Sequence, residues 1–170
     1  MSNLRHLLLP LLAIASVATA LSPGTDHASE AAALGHPKPF HRPPRDVKPK
    51  ITLGQRVAKI ALREVGTPYR WGGESPGGFD CSGLVRWSYR RIGIDLPHSS
   101  YALFEVGRRV SREHIRPGDV LFFSGLGHVG IYVGRGRMVH APYSGTDVEV
   151  IPLAGWYGSR LVGARRVVTA

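Results

Sequence analysis

The sequence is short of four things, and each shortage narrows what the chain can be. It holds one cysteine, Cys81, so no disulfide forms within the chain and a disulfide-stapled scaffold is excluded. It is short of acid, with 12 Asp and Glu against 22 Lys and Arg and a net charge of +10. No apolar run approaches the roughly 20 residues of a membrane span, so stable membrane insertion is not expected. Finally, it has no internal repeat, no cysteine/histidine finger spacing and no basic helical module of the kind that reads nucleic acid. The arginines are dispersed instead, at Arg56, Arg63, Arg70, Arg86, Arg90, Arg91, Arg108, Arg109, Arg112, Arg116 and beyond. Nucleic acid is therefore not the expected partner.

A chain of 170 residues has room for one ordinary domain. Residues 1–20 read as an export signal: Arg5 and His6 precede the apolar stretch Leu7 to Ala15, and Ala18-Thr19-Ala20 supplies the small-x-small cleavage pattern. No cysteine adjoins that site, so lipid attachment there is excluded. Residues 21–50 read as a basic linker or N-terminal extension. Pro23, Gly24, Gly35, Pro37, Pro39, Pro43, Pro44 and Pro49 recur there with almost no large apolar side chains, too little to offset the entropy of ordering. Residues 51–170 are the expected folded domain. A secreted or periplasmic location follows, with anionic envelope polymers as partners reached by long-ranged, salt-sensitive attraction. With no visible oligomer signal, a monomer is expected.

Cys81 sits between a loop rich in glycine and proline, Gly72 to Gly78, and a segment with helical character, Leu84 to Tyr89. Asp80 suits an N-cap. A cysteine in the following first turn meets free backbone N–H groups and the positive end of the helix dipole, which favour thiolate. The plain alternative is a small apolar residue buried behind a cap. A lone thiol on an exported protein has no disulfide partner and faces oxidants, which is easier to explain if the thiol reacts.

The rest of the domain reads as helices first and strands second. Val57, Ala61 and Val65, with Ala58 and Leu62, predict an amphipathic helix over 53–65, ended by Gly66 and Pro68. A second helix is predicted from Cys81 to Arg91, and Ser99 or Ser100 caps a short third. A strand-like region begins near Val110, with a turn at Arg116 to Asp119. From Val120 the period shortens. Val120–Phe123, Val129–Val133, Met138–Ala141, Val148–Ile151 and Leu161–Val168 read as strands with short connections. The expected fold is α+β, with helices packed on a five- or six-stranded, mainly antiparallel sheet.

Whether His128 and His140 meet depends on one turn. A three-residue bulged turn, Gly134-Arg135-Gly136, sets Gly130 opposite His140 and makes the histidines diagonal neighbours about 7–8 Å apart at the backbone. A two-residue turn with Gly134 opposite Arg137 sends them to opposite faces, because the side-chain period is two. Both are permitted. In the first register one imidazole can deprotonate Cys81 while the other fixes its ring and tautomer, the nucleophile–base–orienter arrangement of acyl transfer. His128, at the start of its strand beside small residues, suits the base; His140 suits the orienter. Zinc held by Cys81, His128 and His140 is the chemical alternative, but a helix-start cysteine suits a free nucleophile better. No Gly-x-Ser-x-Gly motif surrounds Ser82. His98, beside a proline, and His114, in a charged loop, are weaker candidates.

These residues resemble the NlpC/P60 family of papain-like cysteine peptidases. The resemblance lies in Tyr69-Arg70-Trp71-Gly72-Gly73, Phe79-Asp80-Cys81-Ser82-Gly83-Leu84-Val85, Arg116-Pro117-Gly118-Asp119-Val120, His128-Val129-Gly130-Ile131-Tyr132-Val133-Gly134 and Val139-His140-Ala141-Pro142, together spanning most of residues 51–168. It implies Cys81 as nucleophile, His128 as general base and His140 as polar third member. Tyr69 lies near the thiol, and Tyr69 and Ser82 would support substrate or oxyanion. No cofactor and no metal are implied. It further implies hydrolysis of peptidoglycan stem peptides, commonly between γ-D-glutamyl and a diamino acid such as meso-diaminopimelate, through a thioester. A catalytically silent peptidoglycan-binding or scaffold protein, and a related cysteine amidase or acyltransferase, are the alternatives. One departure is Leu103, where many relatives carry glutamine, so individual substrate contacts do not carry over.

Overall fold

A computed structural model describes residues 50–168. The expected export signal at 1–20 and all but the last residue of the linker at 21–50 lie outside them. Helix α1 (Leu53–Leu62) starts at a reciprocal cap, in which Thr52 accepts from the Gln55 backbone and Gln55 accepts from that of Thr52. It buries Gly54, Val57, Ala58 and Ala61. It ends earlier than its periodicity predicts, because the amides of Arg63 and Glu64 turn back onto the carbonyls of Ile60 and Ala61 and leave Val65 exposed. A hairpin that alternation did not reveal follows, β1 (Glu74–Ser75) and β2 (Gly78–Phe79). Two residues per strand are too few to show a period. Helix α2 (Cys81–Arg90) and the single turn α3 (Ser100–Leu103) start at Asp80 and Ser99, as expected.

The sheet has six strands, all antiparallel: β3 (Arg108–Val110), β4 (Val120–Phe123), β5 (Val129–Gly134), β6 (Arg137–His140), β7 (Glu149–Pro152) and β8 (Leu161–Arg166), in the order β3-β8-β4-β5-β6-β7. Helices packed on an antiparallel sheet make the domain α+β, as the sequence predicts. Its core lies between Val57, Leu84, Val85 and Tyr89 of the helices and Val120, Phe122, Val129, Ile131 and Val139 of the sheet. A second cluster, Leu121, Phe123, Met138 and Ala164 with Tyr132 and Tyr157, covers the opposite face. Burial on both faces explains why Val120-Leu121-Phe122-Phe123 is apolar throughout. Part of that second cover comes from helix α4 (Gly155–Arg160), which the sequence reading leaves as a connection.

The β5–β6 hairpin combines the two permitted turns. Gly134 pairs with Arg137 across a two-residue turn in which Arg135 and Gly136 both have positive φ, 53° and 65°. Alone, that turn would separate the histidines. A bulge between Tyr132 and Gly134 inserts Val133 as an extra residue and restores Tyr132↔Met138 and Ile131↔Val139. The register therefore brings His128 and His140 to one face, by a route the single-turn argument lacks.

The Arg116–Asp119 turn ties the halves of the domain together. Asp119, 2% exposed, accepts from Arg166 Nε and Nη2, each at 2.7 Å, and from the Arg116 backbone at 2.7 Å. The adjacent Gly118 carbonyl accepts from the buried Tyr89 hydroxyl at 2.6 Å, which joins α2 to the turn. Replacing Asp119 by Asn leaves a buried guanidinium without its counter-charge. Asp119→Asn is expected to lower unfolding free energy by about 3–5 kcal/mol, read as a fall in urea midpoint at unchanged m-value.

Candidate functional site

Asp80 builds the site. Its backbone is extended, at φ −91° and ψ 177°, so its carboxylate folds over the start of α2. Oδ1 accepts from the Gly83 amide at 2.7 Å and the Ser82 hydroxyl at 3.0 Å, while Oδ2 accepts from the Gly72 amide at 2.9 Å. His98 Nε2 lies 2.9 and 3.0 Å from the two oxygens. One carboxylate thus binds the Gly-rich loop, the α2 start and the segment before α3. Gly83 lies against the Gly73 carbonyl in a gap where a Cβ has no room.

Cys81 follows as the first helical residue, beside a cleft of ≈ 420 Å³ lined by Tyr69, Trp71, Ser82, His98, Tyr101 and His128, among others. The backbone of Val129, at the start of β5, lies near enough to the thiol to favour its ionised form. His128 immediately precedes that strand. Its Nε2 is 2.8 Å from His140 Nδ1, with ring centroids 5.1 Å apart at 78°. Tyr157 of α4 sets its ring edge-on to His140, at 5.1 Å and 84°, and tilted to His128, at 6.1 Å.

His140 is fully buried. Its Nε2 is the buried side-chain atom left without a hydrogen-bond partner among the described residues, although Glu149 Oε1 is 3.4 Å away. The pair follows from the sheet, since His140 lies directly opposite Glu149 in the β6–β7 register. At 2.8 Å the two facing nitrogens of His128 and His140 share one proton, one donating and the other accepting. Among the described residues no group of three His, Cys, Asp or Glu is arranged to hold a metal ion.

The electrostatics differ from the thiolate-favouring helix start expected from the sequence. Burial pushes the Cys81 thiol above its ordinary value and the Asp80 carboxylate adds to that, while backbone hydrogen bonds from Val129 and the helix start pull the other way. Burial pulls His128 down to about 4. Burial and then the neighbouring His128 pull His140 down to about 3. The resting trio is therefore a neutral thiol and two neutral imidazoles near pH 7. Burial, then the charges of Cys81 and Asp80, raise Tyr69, which keeps its phenol protonated and able to donate.

All five residues singled out in the sequence lie at or beside this cleft, but Ser82 differs in what it offers. Its hydroxyl is committed to Asp80, so its backbone amide is the part left for the cleft. Of two further neighbours, the sequence reading ranks His98 low and does not single out Tyr157. His98 grips Asp80, and nothing in Leu96-Pro97-His98 signals a partner 18 positions away. Tyr157 backs both imidazoles from a short helix in a stretch with no readable period.

The family model for NlpC/P60 matches residues 66–166. The chain belongs to the NlpC/P60 family. Among curated relatives it is similar to a probable endopeptidase of Mycobacterium tuberculosis, 51% identical over 110 residues that cover 63% of this chain and 29% of that protein. It is also similar to the bifunctional muramidase/DL-endopeptidase CwlT of Bacillus subtilis, 38% identical over 130 residues, 72% of this chain and 39% of that one. It thus spans less than half of either relative. Among solved structures, an NlpC/P60 family protein from Bacillus cereus superposes with a TM-score of 0.64 at 36% identity, covering 68% of this chain and 40% of that one. The NlpC/P60 domain of the peptidoglycan hydrolase SagA superposes with a TM-score of 0.61 at 33% identity, covering 66% of this chain and 97% of that domain. The fold is accordingly the papain-like NlpC/P60 domain.

The low histidine values predict how this NlpC/P60 domain responds to acid. Below pH 6.5 the unfolded chain protonates His128 and His140, whereas the folded chain resists until about 4 and 3. Stability is therefore greatest above pH 6.5 and falls as pH drops through that window, on the order of 1–2 kcal/mol per histidine by pH 5. Urea unfolding at pH 7 and pH 5 measures the slope. A His128→Gln/His140→Gln variant is expected to flatten it, and an equal slope in that variant assigns the titration to other groups.

Proposed function

We propose that this chain is an exported cysteine endopeptidase that hydrolyses peptidoglycan stem peptides at the bond between γ-D-glutamyl and a diamino acid such as meso-diaminopimelate. The observation that carries the proposal is the placement of Cys81, at a capped helix start, beside a cleft shared with His128, whose Nε2 is held 2.8 Å from His140 Nδ1. The family relationship supports the substrate class: a similar domain comes from a peptidoglycan hydrolase and a similar curated protein is a DL-endopeptidase. Residues 1–20 as export signal and residues 51–170 as catalytic domain complete the reading. Among the described residues no helix is long and apolar enough to cross a membrane.

With Nε2 of His128 directed at His140, Nδ1 is the ring nitrogen left for the thiol. For Nδ1 to act as base, the His128 proton resides on Nε2 and is donated to His140 Nδ1. His140 then carries its own proton on Nε2, facing Glu149. Because thiol and imidazole rest neutral, the proton moves as sulfur adds to the carbonyl carbon: Sγ–C forms, and the S–H proton passes to His128. Backbone N–H groups at the start of α2 and the Tyr69 phenol stabilise the oxyanion, and such donors contribute about 3–4 kcal/mol each where measured. Collapse breaks the C–N bond, and His128 returns its proton to the leaving amine. Water activated by the same imidazole then hydrolyses the thioester.

Mass analysis of a defined stem peptide tests this reading. The chain is expected to yield two fragments whose masses sum to substrate plus one water, and Cys81→Ala to abolish the reaction. Products joined to a second amine support an acyltransferase, and no turnover by the intact chain supports a silent binding protein. The proton arrangement has its own test. Glu149→Gln is expected to lower kcat about 3–10-fold with KM little changed, because it weakens the hold on the His140 proton. Equal kcat in the variant removes Glu149 from the chain of proton donors.

A further inference from the structure

A second concavity lies away from the cleft, on the outer side of the two long helices. It has a volume of ≈ 400 Å³ and is lined by Ile51, Ile60, Trp87 and Glu64 together with the cations Arg56, Lys59, Arg63 and Arg91. Among the described residues none of the four cations enters an ion pair. The one carboxylate is already engaged, since Glu64 Oε1 accepts from the Trp87 indole at 3.2 Å. The Arg91 guanidinium lies 5.6 Å from the centre of the Trp87 ring.

This concentration of charge is not neutralised within the helix that carries most of it. Arg56, Lys59 and the C-cap Arg63 recur at spacings of three and four along α1, where like charges repel one another. Its first turn has no acid to offset them, and only the dipole at the helix C-terminus, near Lys59 and Arg63, favours cations. The groove also begins where a basic stretch ends: Lys48 and Lys50 directly precede Ile51 in sequence, and Ile51 lines the groove while remaining 44% exposed. Three of the four cations are arginines, whose planar donor forks fit phosphate oxygens two at a time.

We propose that this groove binds an anionic phosphodiester polymer, of the polyol-phosphate type carried by cell envelopes. Cys81 starts α2 and Arg91 caps its far end, so groove and cleft are about 15 Å apart along one helix. A polymer held at one end leaves the cleft at the other open to a neighbouring peptide. The envelope setting rests on the function proposed above, but binding needs no catalysis and is measured separately.

The experiment titrates the full chain with poly(glycerol phosphate) at several salt concentrations, following tryptophan fluorescence and sedimentation. Two variants of equal net charge are compared, Arg56→Gln/Lys59→Gln/Arg63→Gln in the groove and Arg108→Gln/Arg109→Gln/Arg137→Gln on the sheet. Thermal unfolding establishes that both are folded. The groove variant is expected to lose at least about tenfold in affinity near 0.15 M salt and to reduce the log–log salt slope by about 2, given roughly 0.7–0.9 per phosphate contact in nucleic acids. The sheet variant is expected to change affinity less than about twofold. Equal losses in both variants reduce the attraction to net charge and overturn the site, as does an intact chain that does not bind at low salt. Tighter binding of a polyuronate of matched charge overturns the phosphate assignment. Stem-peptide turnover in the same preparations keeps the two proposals apart: turnover without polymer binding removes only the groove, and polymer binding without turnover removes only the hydrolase.

Discussion

The carboxylate of Asp80 is the constraint on which the site depends. Four groups from three parts of the chain converge on its two oxygens: the Gly72 amide, the Ser82 hydroxyl and Gly83 amide of the α2 start, and the His98 ring. It is 8% exposed, so these bonds operate where water competes poorly and an unpaired charge would be expensive. The same anion that fixes the position of Cys81 also raises the energy of a thiolate there. Rigidity at the helix start and easy ionisation of its first residue are in opposition, and geometry has taken precedence. In the proposed mechanism, what the helix start withholds from the thiol is supplied by His128 in the act of bond formation.

The imidazole pair shows the same economy of means. His128 and His140 are neutral because they are buried and backed by the Tyr157 ring. A neutral His128 can accept a proton, whereas an imidazolium cannot. A neutral thiol outside the cytoplasm also reacts more slowly with oxidants than a thiolate. On the proposed role of Cys81 in an exported chain, electrostatics that look unfavourable for a nucleophile at rest suit one that must wait in oxidising surroundings.

Much of this was legible in the sequence because it depends on local chemistry or on alternation. Asp80 before Cys81 reads as a cap, and Val129, Ile131 and Val139 announce strands with a buried face. Ser99 marks the short helix α3. What stayed hidden depends on contacts between distant residues. His98 is placed by a carboxylate 18 positions away, Tyr157 sits in a six-residue helix, and the β1–β2 hairpin is too short to have a period. The histidine register is the instructive case. The turn residues Gly134-Arg135-Gly136 were rightly singled out, but a bulge one residue upstream changes what the turn implies.

That bulge is a place where the hairpin can change length without moving the site. Removing Val133 would let Gly134↔Arg137 run straight on into Tyr132↔Met138, so the pairing beyond it, and the face the two imidazoles share, would persist. Removing a paired residue upstream of the bulge, such as Ile131, would instead set Val129 opposite His140 and turn His128 to the other face. Length changes at this hairpin are accordingly tolerated at the bulge and the turn, and not in the paired stretch between them and the histidines.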